Sequence, residues 1–404
     1  MRLMRALSMP SGGATAPQPA WPAVAHIMDT YLGATETFIH DYLTAFERLR
    51  AVIIARRFEN LDLFPMPASG SLHRWRPRRG TPSWAIASMK RRLPGMSGAD
   101  PSLEKTLAAQ QVRLMHAHFG PTACDLLDVR RRTGIPLVTS FYGYDASMSE
   151  VVDQFRDRYR RLFDIGDAFL AEGPAMAARL EGLGCPSSKL RIQRIGIDPM
   201  KHRFRVRKDP GTGPLRLLMC GRMVPKKGHA VALGALAEAR RHDKRLRLVL
   251  IGDGPLRADI ERQITALDLT DAVSLMGRRP RQELLHEMEN AHIYLQPSMT
   301  AGDGDSEGGA PTSLLEAQAS GLPTLATRHA DIPQVVREGE SALLSPEGDV
   351  GGLAANMVLL AGAPQRWGSM GRSGRAHVEA HHDVRSLATQ LEIRYATLAE
   401  TGRL

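Results

Sequence analysis

Short runs of β-branched and aliphatic residues alternate along the chain with longer stretches of helical spacing. The runs at residues 24–28, 51–55, 114–117, 137–140 and 168–171 read as strands. After Pro199 the rhythm restarts, with strand-like runs at 216–220, 246–252, 273–276, 293–296, 323–326 and 342–344 and helical stretches such as 229–241 and 255–267 between them. Alternating strand and helix predicts doubly wound α/β architecture: parallel sheets, right-handed crossovers, and ligand sites at the carboxyl ends of the strands.

The restart follows a polar, basic linker at 201–214 that contains little to bury. The expected division is a flexible leader at 1–22, a first α/β domain at 23–200, a second at 201–383, and a closing helix at 384–404. The closing helix is read from Leu387, Leu391, Tyr395 and Leu398, which fall at roughly helical spacing. The 404 residues suffice for two such domains, each with its own core.

Composition narrows the function classes. Cys124, Cys185 and Cys220 lie far apart without a C-x-x-C pair, which excludes a disulfide framework or zinc knuckle and points to a reducing cytoplasm. No apolar run has the length of a membrane span, and the leader lacks the continuous apolar core of a signal peptide. The net charge of +10 points to nucleic acid, an anionic membrane surface or phosphate-bearing small molecules. Much of it is local. Between Asp62 and Asp100 there is no acidic residue, while Arg74, Arg76, Arg78, Arg79, Lys90, Arg91 and Arg92 surround Trp75 and Trp84. Basic residues with Trp suit a peripheral membrane contact through residues 73–92, against the plainer reading of a solvated loop. No nucleic-acid motif accompanies the charge.

Two segments carry candidate chemistry. In Cys220-Gly221-Arg222-Met223-Val224-Pro225-Lys226-Lys227-Gly228, a strand ends, a glycine turns, and Arg222 and Lys227 precede a helix. Two cations beside a helix N-terminus form an anion trap, although a solvated basic turn explains the pattern as well. In the second segment, Glu307, Gly308, Gly309, Pro311, Thr312, Ser313 and Glu316 run from a loop into a helix. The glycines would let backbone approach a ligand, Pro311 would open the helix, and the amides around Thr312 and Ser313 could hold a diphosphate. Glu316 suits a ribose diol and Glu307 a sugar; the plainer reading is a capped surface helix.

Together these residues carry a resemblance. Gly221-Arg222 with Lys227-Gly228, then Leu248 to Pro255, Met276-Gly277, Leu295 to Ser298, and Glu307 with Glu316-Ala317 and Gly321-Leu322-Pro323 resemble the donor domain of family 4 retaining glycosyltransferases. Glu36 to Ile39, His116 to Phe119, Ile135 to Leu137 and Gly143 to Asp145 resemble its first domain more loosely. The resemblance implies a GT-B fold, two Rossmann-like domains facing across a cleft, with no metal and no cofactor beyond the nucleoside-diphosphate sugar. Arg222 and Lys227 would neutralise the diphosphate, Glu307 would meet the donor sugar, Glu316 the ribose, and Arg278 the base. Gly33 and Gly221 would line the donor site; Glu36, His118, Tyr142 and Asp145 would lie on the acceptor side.

The pattern departs from the family at three places. Eight residues separate Glu307 from Glu316 where seven are usual, Tyr142 stands where His is common, and the usual glycine pair is Gly33-Ala34. His116 and His118 fall on one side of a strand, as a structural pair satisfied by backbone or, if a third ligand joined them, a metal site. Asp303 and Asp305 read as a flexible loop over the donor. Gly252-Asp253-Gly254-Pro255 lacks the rest of a dinucleotide fingerprint.

The expected activity is therefore retaining transfer of a hexose from a UDP-sugar, or next GDP-mannose, to a hydroxyl acceptor. A lipid-linked or surface-polysaccharide precursor at the cytoplasmic face of the inner membrane is favoured over a soluble natural product. A GT-B sugar-nucleotide epimerase and a non-catalytic sugar-nucleotide binder are the rivals.

Overall fold

The computed structural model describes residues 22–403 apart from 34, 67–69, 76–100 and 310. Its first sheet is built from β1 (Ala23–Tyr31), β2 (Arg50–Phe58), β3 (Ser71–Arg74), β4 (Val112–His118), β5 (Leu137–Ser140), β6 (Ala168–Ala171) and β7 (Leu190–Ile192). All pairs are parallel, in the order β3-β2-β1-β4-β5-β6-β7. The second contains β8 (Leu215–Cys220), β9 (Leu246–Ile251), β10 (Val273–Gly277), β11 (Ile293–Gln296), β12 (Thr324–Thr327) and β13 (Ala342–Ser345). It too is wholly parallel, in the order β10-β9-β8-β11-β12-β13.

Strand order reverses between β1 and β4 in one sheet and between β8 and β11 in the other. At such switch points the crossovers leave in opposite directions and open a crevice at the strands' carboxyl ends. Each sheet is sandwiched between apolar clusters: Ile27, Met115 and Phe169 on one face of the first, Val24, Ile53 and Leu114 on the other.

β3 and β7 were not visible in the apolar pattern. Both are short edge strands, and their polar members (Ser71, His73, Arg74 and Arg191) hide the signal.

The closing helix runs from Val384 to Thr401 and buries Leu387, Leu391, Tyr395 and Leu398. It does so against the first sheet, sharing a cluster with Val24, Met28 and Leu114, so this helix crosses back to the first domain. Glu392 fixes it there by accepting the amides of Glu47 and Arg48 at 2.9 and 2.6 Å.

Two expectations are corrected. The linker buries more than its polarity suggests: Arg207 is buried and donates to the carbonyls of Glu289 and Ser320, at 2.6 and 2.7 Å, and His202 is buried as well. A guanidinium can be buried when carbonyls take its N–H groups. Trp75 belongs to the first domain's core, with the Arg56 guanidinium 4.0 Å from its ring centroid, so it cannot anchor a membrane interface. Arg74 lies over Phe58. Arg76, Arg78, Arg79, Trp84, Lys90, Arg91, Arg92 and the 1–21 leader lie outside the described residues, and among the described residues no helix is long and apolar enough to cross a membrane.

Candidate active site

β8 delivers Gly221 and the turn after it to the second sheet's switch point. Lys227 ends a 3-10 turn, Pro225–Lys227, just before helix His229–Ala239. Its Nζ lies 2.7 Å from Glu307 Oε1, which also accepts from Ser298 Oγ at 2.8 Å. Ser298 follows β11 and is held in turn by Gln296, whose side chain takes the Tyr294 hydroxyl. Burial pushes the Glu307 carboxyl up, but Lys227, Lys226 and the Ser298 hydroxyl outweigh it and leave the group below its ordinary value. The Glu307 amide donates to His329 Nε2, so His329 carries its proton on Nδ1, facing Glu347 Oε1 at 2.6 Å.

Helix Thr312–Ala319 starts one residue later than expected, with Pro311 as its N-cap. The first amides to return to a carbonyl are those of Leu314 and Leu315, both to Pro311. Those of Thr312 and Ser313 therefore have no partner within the helix. Ser313 Oγ donates to the Cys220 carbonyl at 3.2 Å, which ties this helix end to the end of β8. One turn on, Glu316 is buried and ion-paired to Arg281, whose other nitrogen meets His202 Nε2 at 3.2 Å. Burial raises the Glu316 carboxyl, and Arg281 offsets only part of that.

The first domain supplies the opposite wall. Glu36 Oε2 accepts the Gly33 amide at 2.8 Å. Burial raises the Glu36 carboxyl, countered in part by the Gly33 amide and by exposed Arg222 of the second domain. Arg278, after β10, is exposed. Tyr142 packs on Phe38 and Phe119, and its hydroxyl meets His118 Nδ1 at 2.7 Å.

Four expectations are corrected here. Asp145 does not face an acceptor: it is fully buried, and its oxygens take the amides of Gly120, Tyr142 and Gly143. It braces the Tyr142–Gly143 turn instead. Gly308 and Gly309 admit the other domain rather than a ligand. A Cβ on Gly308 would collide with the Tyr142 carbonyl, and one on Gly309 with the Glu172 side chain. The loop of Asp303 and Asp305 is docked, not loose. Asp305 pairs with buried Lys226 at 3.0 Å, the Ser149 amide donates to the Asp303 carbonyl, and Ser306 N donates to Ser147 Oγ. Finally, side chains rather than backbone satisfy His116 and His118.

The sequence motifs include Lys226 and Ser298 without giving them a role, and they leave out Arg281, His202 and two carboxylates between the domains. Asp331 of the second domain accepts the amides of Ala175 and Met176, capping helix Pro174–Gly182 of the first. Glu172, at the end of β6, is buried with no partner for Oε1 among the described residues. Burial raises its carboxyl well above the ordinary value, and Asp145, Asp331 and Glu307 add to it.

The glycosyl transferases group 1 family matches residues 201–373, and the Glycosyltransferase Family 4 family matches 35–201. The amylovoran biosynthesis glycosyltransferase AmsK of Erwinia amylovora is 33% identical over 313 residues, 76% of this chain and 75% of AmsK. The chain belongs to glycosyltransferase family 4. A second relative is a GDP-mannose-dependent α-(1-6)-phosphatidylinositol monomannoside mannosyltransferase of Mycolicibacterium smegmatis. It is 27% identical over 288 residues, 67% of this chain and 75% of its own. The crystal structure of Anabaena HepE with UDP and glucose shares the GT-B fold with a TM-score of 0.74, at 16% identity over 93% of this chain and 100% of that one. The family 4 glycosyltransferase described here thus pairs two parallel-sheet, Rossmann-like domains built on the same plan.

Proposed function

We propose that this glycosyltransferase moves a hexose from a nucleoside-diphosphate sugar to a hydroxyl of a surface-polysaccharide precursor, with retention and without a metal at the transfer step. The observation that carries the reading is the junction of β8 with helix Thr312–Ala319. There Lys227, the helix amides of Thr312 and Ser313 with no partner within the helix, and two carboxylates converge on one crevice. Lys227 and Arg222 take the diphosphate, whose leaving charge is what transfer must stabilise. The helix N-terminus adds oriented N–H groups. Glu307 turns to the donor sugar once Lys227 engages phosphate, and Glu316 takes the ribose diol as Arg281 yields. UDP is the favoured base and GDP the next, with Arg278 lining its pocket.

Departing phosphate takes the acceptor proton, so no separate base is required of the chain. AmsK, whose name places it in amylovoran biosynthesis, supports the choice of acceptor class. The test is transfer of labelled sugar from each nucleotide to lipid-linked oligosaccharide extracts, with the product anomer assigned by NMR. A labelled product that keeps the donor's α configuration supports the reading. An inverted product, or hydrolysis without transfer, contradicts it.

A further inference from the structure

At the first sheet's switch point β1 lies beside β4, with His26 opposite His116 in the parallel register and His118 two residues further. All three histidines are buried, and one ring nitrogen from each lies within 4.8 Å of the other two. Five of the six ring nitrogens have partners: His26 Nδ1 with His118 Nε2 at 3.1 Å, His118 Nδ1 with the Tyr142 hydroxyl at 2.7 Å, and His116 with the Tyr395 hydroxyl at 2.6 Å and Ser140 Oγ at 2.8 Å. The sixth, His26 Nε2, is buried without one among the described residues.

We propose that His26, His116 and His118 form a three-imidazole site for a borderline divalent metal ion of the zinc class, held in the first domain beneath the acceptor side of the cleft. The site is independent of the donor reading, which rests on the second domain.

Neutral imidazole is a preferred ligand of such ions. Distance makes the same case. Zinc–nitrogen bonds of about 2.0–2.1 Å set the nitrogens of a tetrahedral site roughly 3.3 Å apart. His26 and His118 already stand at 3.1 Å. The third ring, within 4.8 Å, has to close by at most roughly 1.5 Å, a side-chain rather than a backbone movement.

The surroundings also fit. The Tyr142 and Tyr395 hydroxyls hold the outer nitrogens of His118 and His116, fixing the ring orientations as hydrogen-bond partners of metal-bound imidazoles do. A ring flip of His26 exchanges its bonded and unbonded nitrogens, so either can ligate. Three neutral ligands leave the ion's charge uncompensated, and the fourth position suits hydroxide.

Cobalt(II) added to the full-length chain, freed of metal and carrying no histidine tag, tests the site. The expected result is visible absorption of a four-coordinate nitrogen/oxygen site, saturating at one equivalent per chain, lacking thiolate charge transfer and displaced by zinc. His26→Gln should abolish it. His377→Ala with His381→Ala, which removes a histidine pair at ring distance 4.7 Å, should leave it unchanged. No saturable absorption in the wild type, or full absorption in His26→Gln, overturns the proposal. If His26→Gln does not fold, X-ray absorption of the wild-type cobalt complex decides. Three imidazoles in the first shell support the site, and fewer overturn it.

Discussion

Lys227 and Glu307 hold each other at 2.7 Å with both side chains largely closed off from water. Both are residues that the proposed donor needs, so a diphosphate reaching the crevice must draw Lys227 away and release Glu307 toward the sugar. Lys227→Ala removes a charge-assisted phosphate contact worth about 1.5–3 kcal/mol, enough for a roughly tenfold or larger fall in kcat/KM. Arg222→Ala should cost a similar factor, whereas Glu307→Ala should mainly lower kcat. Steady-state kinetics with donor varied at saturating acceptor check all three.

Glu316 is a different case. Its carboxylate is paired to Arg281 and lies a helical turn from the first amides of its helix; in the proposed role it contacts the donor ribose, a contact that changes little during transfer. Glu316→Ala should raise the donor KM and leave kcat close to wild type, since uniform binding is what KM reports. An equal fall in kcat would move Glu316 into the reacting centre.

The two domains meet through backbone that tolerates no added atom. Gly308→Ala places a Cβ against the Tyr142 carbonyl, and the cheapest relief is to part the domains. Asp331→Ala removes the cap that the second domain puts on helix Pro174–Gly182, at a cost of about 0.5–2 kcal/mol. Both variants should expand in small-angle scattering and lose activity, while each domain keeps its circular-dichroism signature.

Two buried carboxyls should give opposite pH dependences of stability. Glu307 is held below its ordinary 4.5, so the stability it lends is present above that pH and lost as pH falls through its folded value. Glu172 is raised well above 4.5, so its contribution is present below 4.5 and lost as pH rises through its folded value. Glu172→Gln keeps the neutral shape and should be at least as stable as wild type at neutral pH and above. Glu307→Gln should flatten the acid limb instead. Urea titrations between pH 3 and about 8 separate the two.

What was legible in the sequence is what local periodicity and short motifs carry. Apolar runs place the interior strands to within a residue or two at most ends, and fall three residues short at the carboxyl ends of β1 and β2, where Asp29, Thr30, Arg56 and Arg57 break the apolar run. The segments around Lys227 and Glu316 also reveal their loop-to-helix settings. What stayed hidden depends on long-range pairing. His26 looks like an ordinary polar residue in a buried run until β1 settles beside β4. Asp331 caps a helix 156 residues upstream, and Arg281 meets Glu316 across 35. Trp75 beside basic residues suggests a membrane belt, but β3 adds to β2 and carries it into the core. Gly308 and Gly309 mark a close approach correctly, while only the assembled domains reveal that the approaching group is Tyr142 and Glu172.

The most direct test of the account is nucleotide binding by wild type and Lys227→Ala. Thermal shift is measured against UDP-, GDP-, ADP- and dTDP-sugars, with slow donor hydrolysis as a second readout. The account predicts that one nucleotide series raises the wild-type Tm, that the same series is hydrolysed, and that Lys227→Ala loses both responses. No shift and no hydrolysis with any series, or an equal shift in the variant, would contradict a diphosphate site at Lys227.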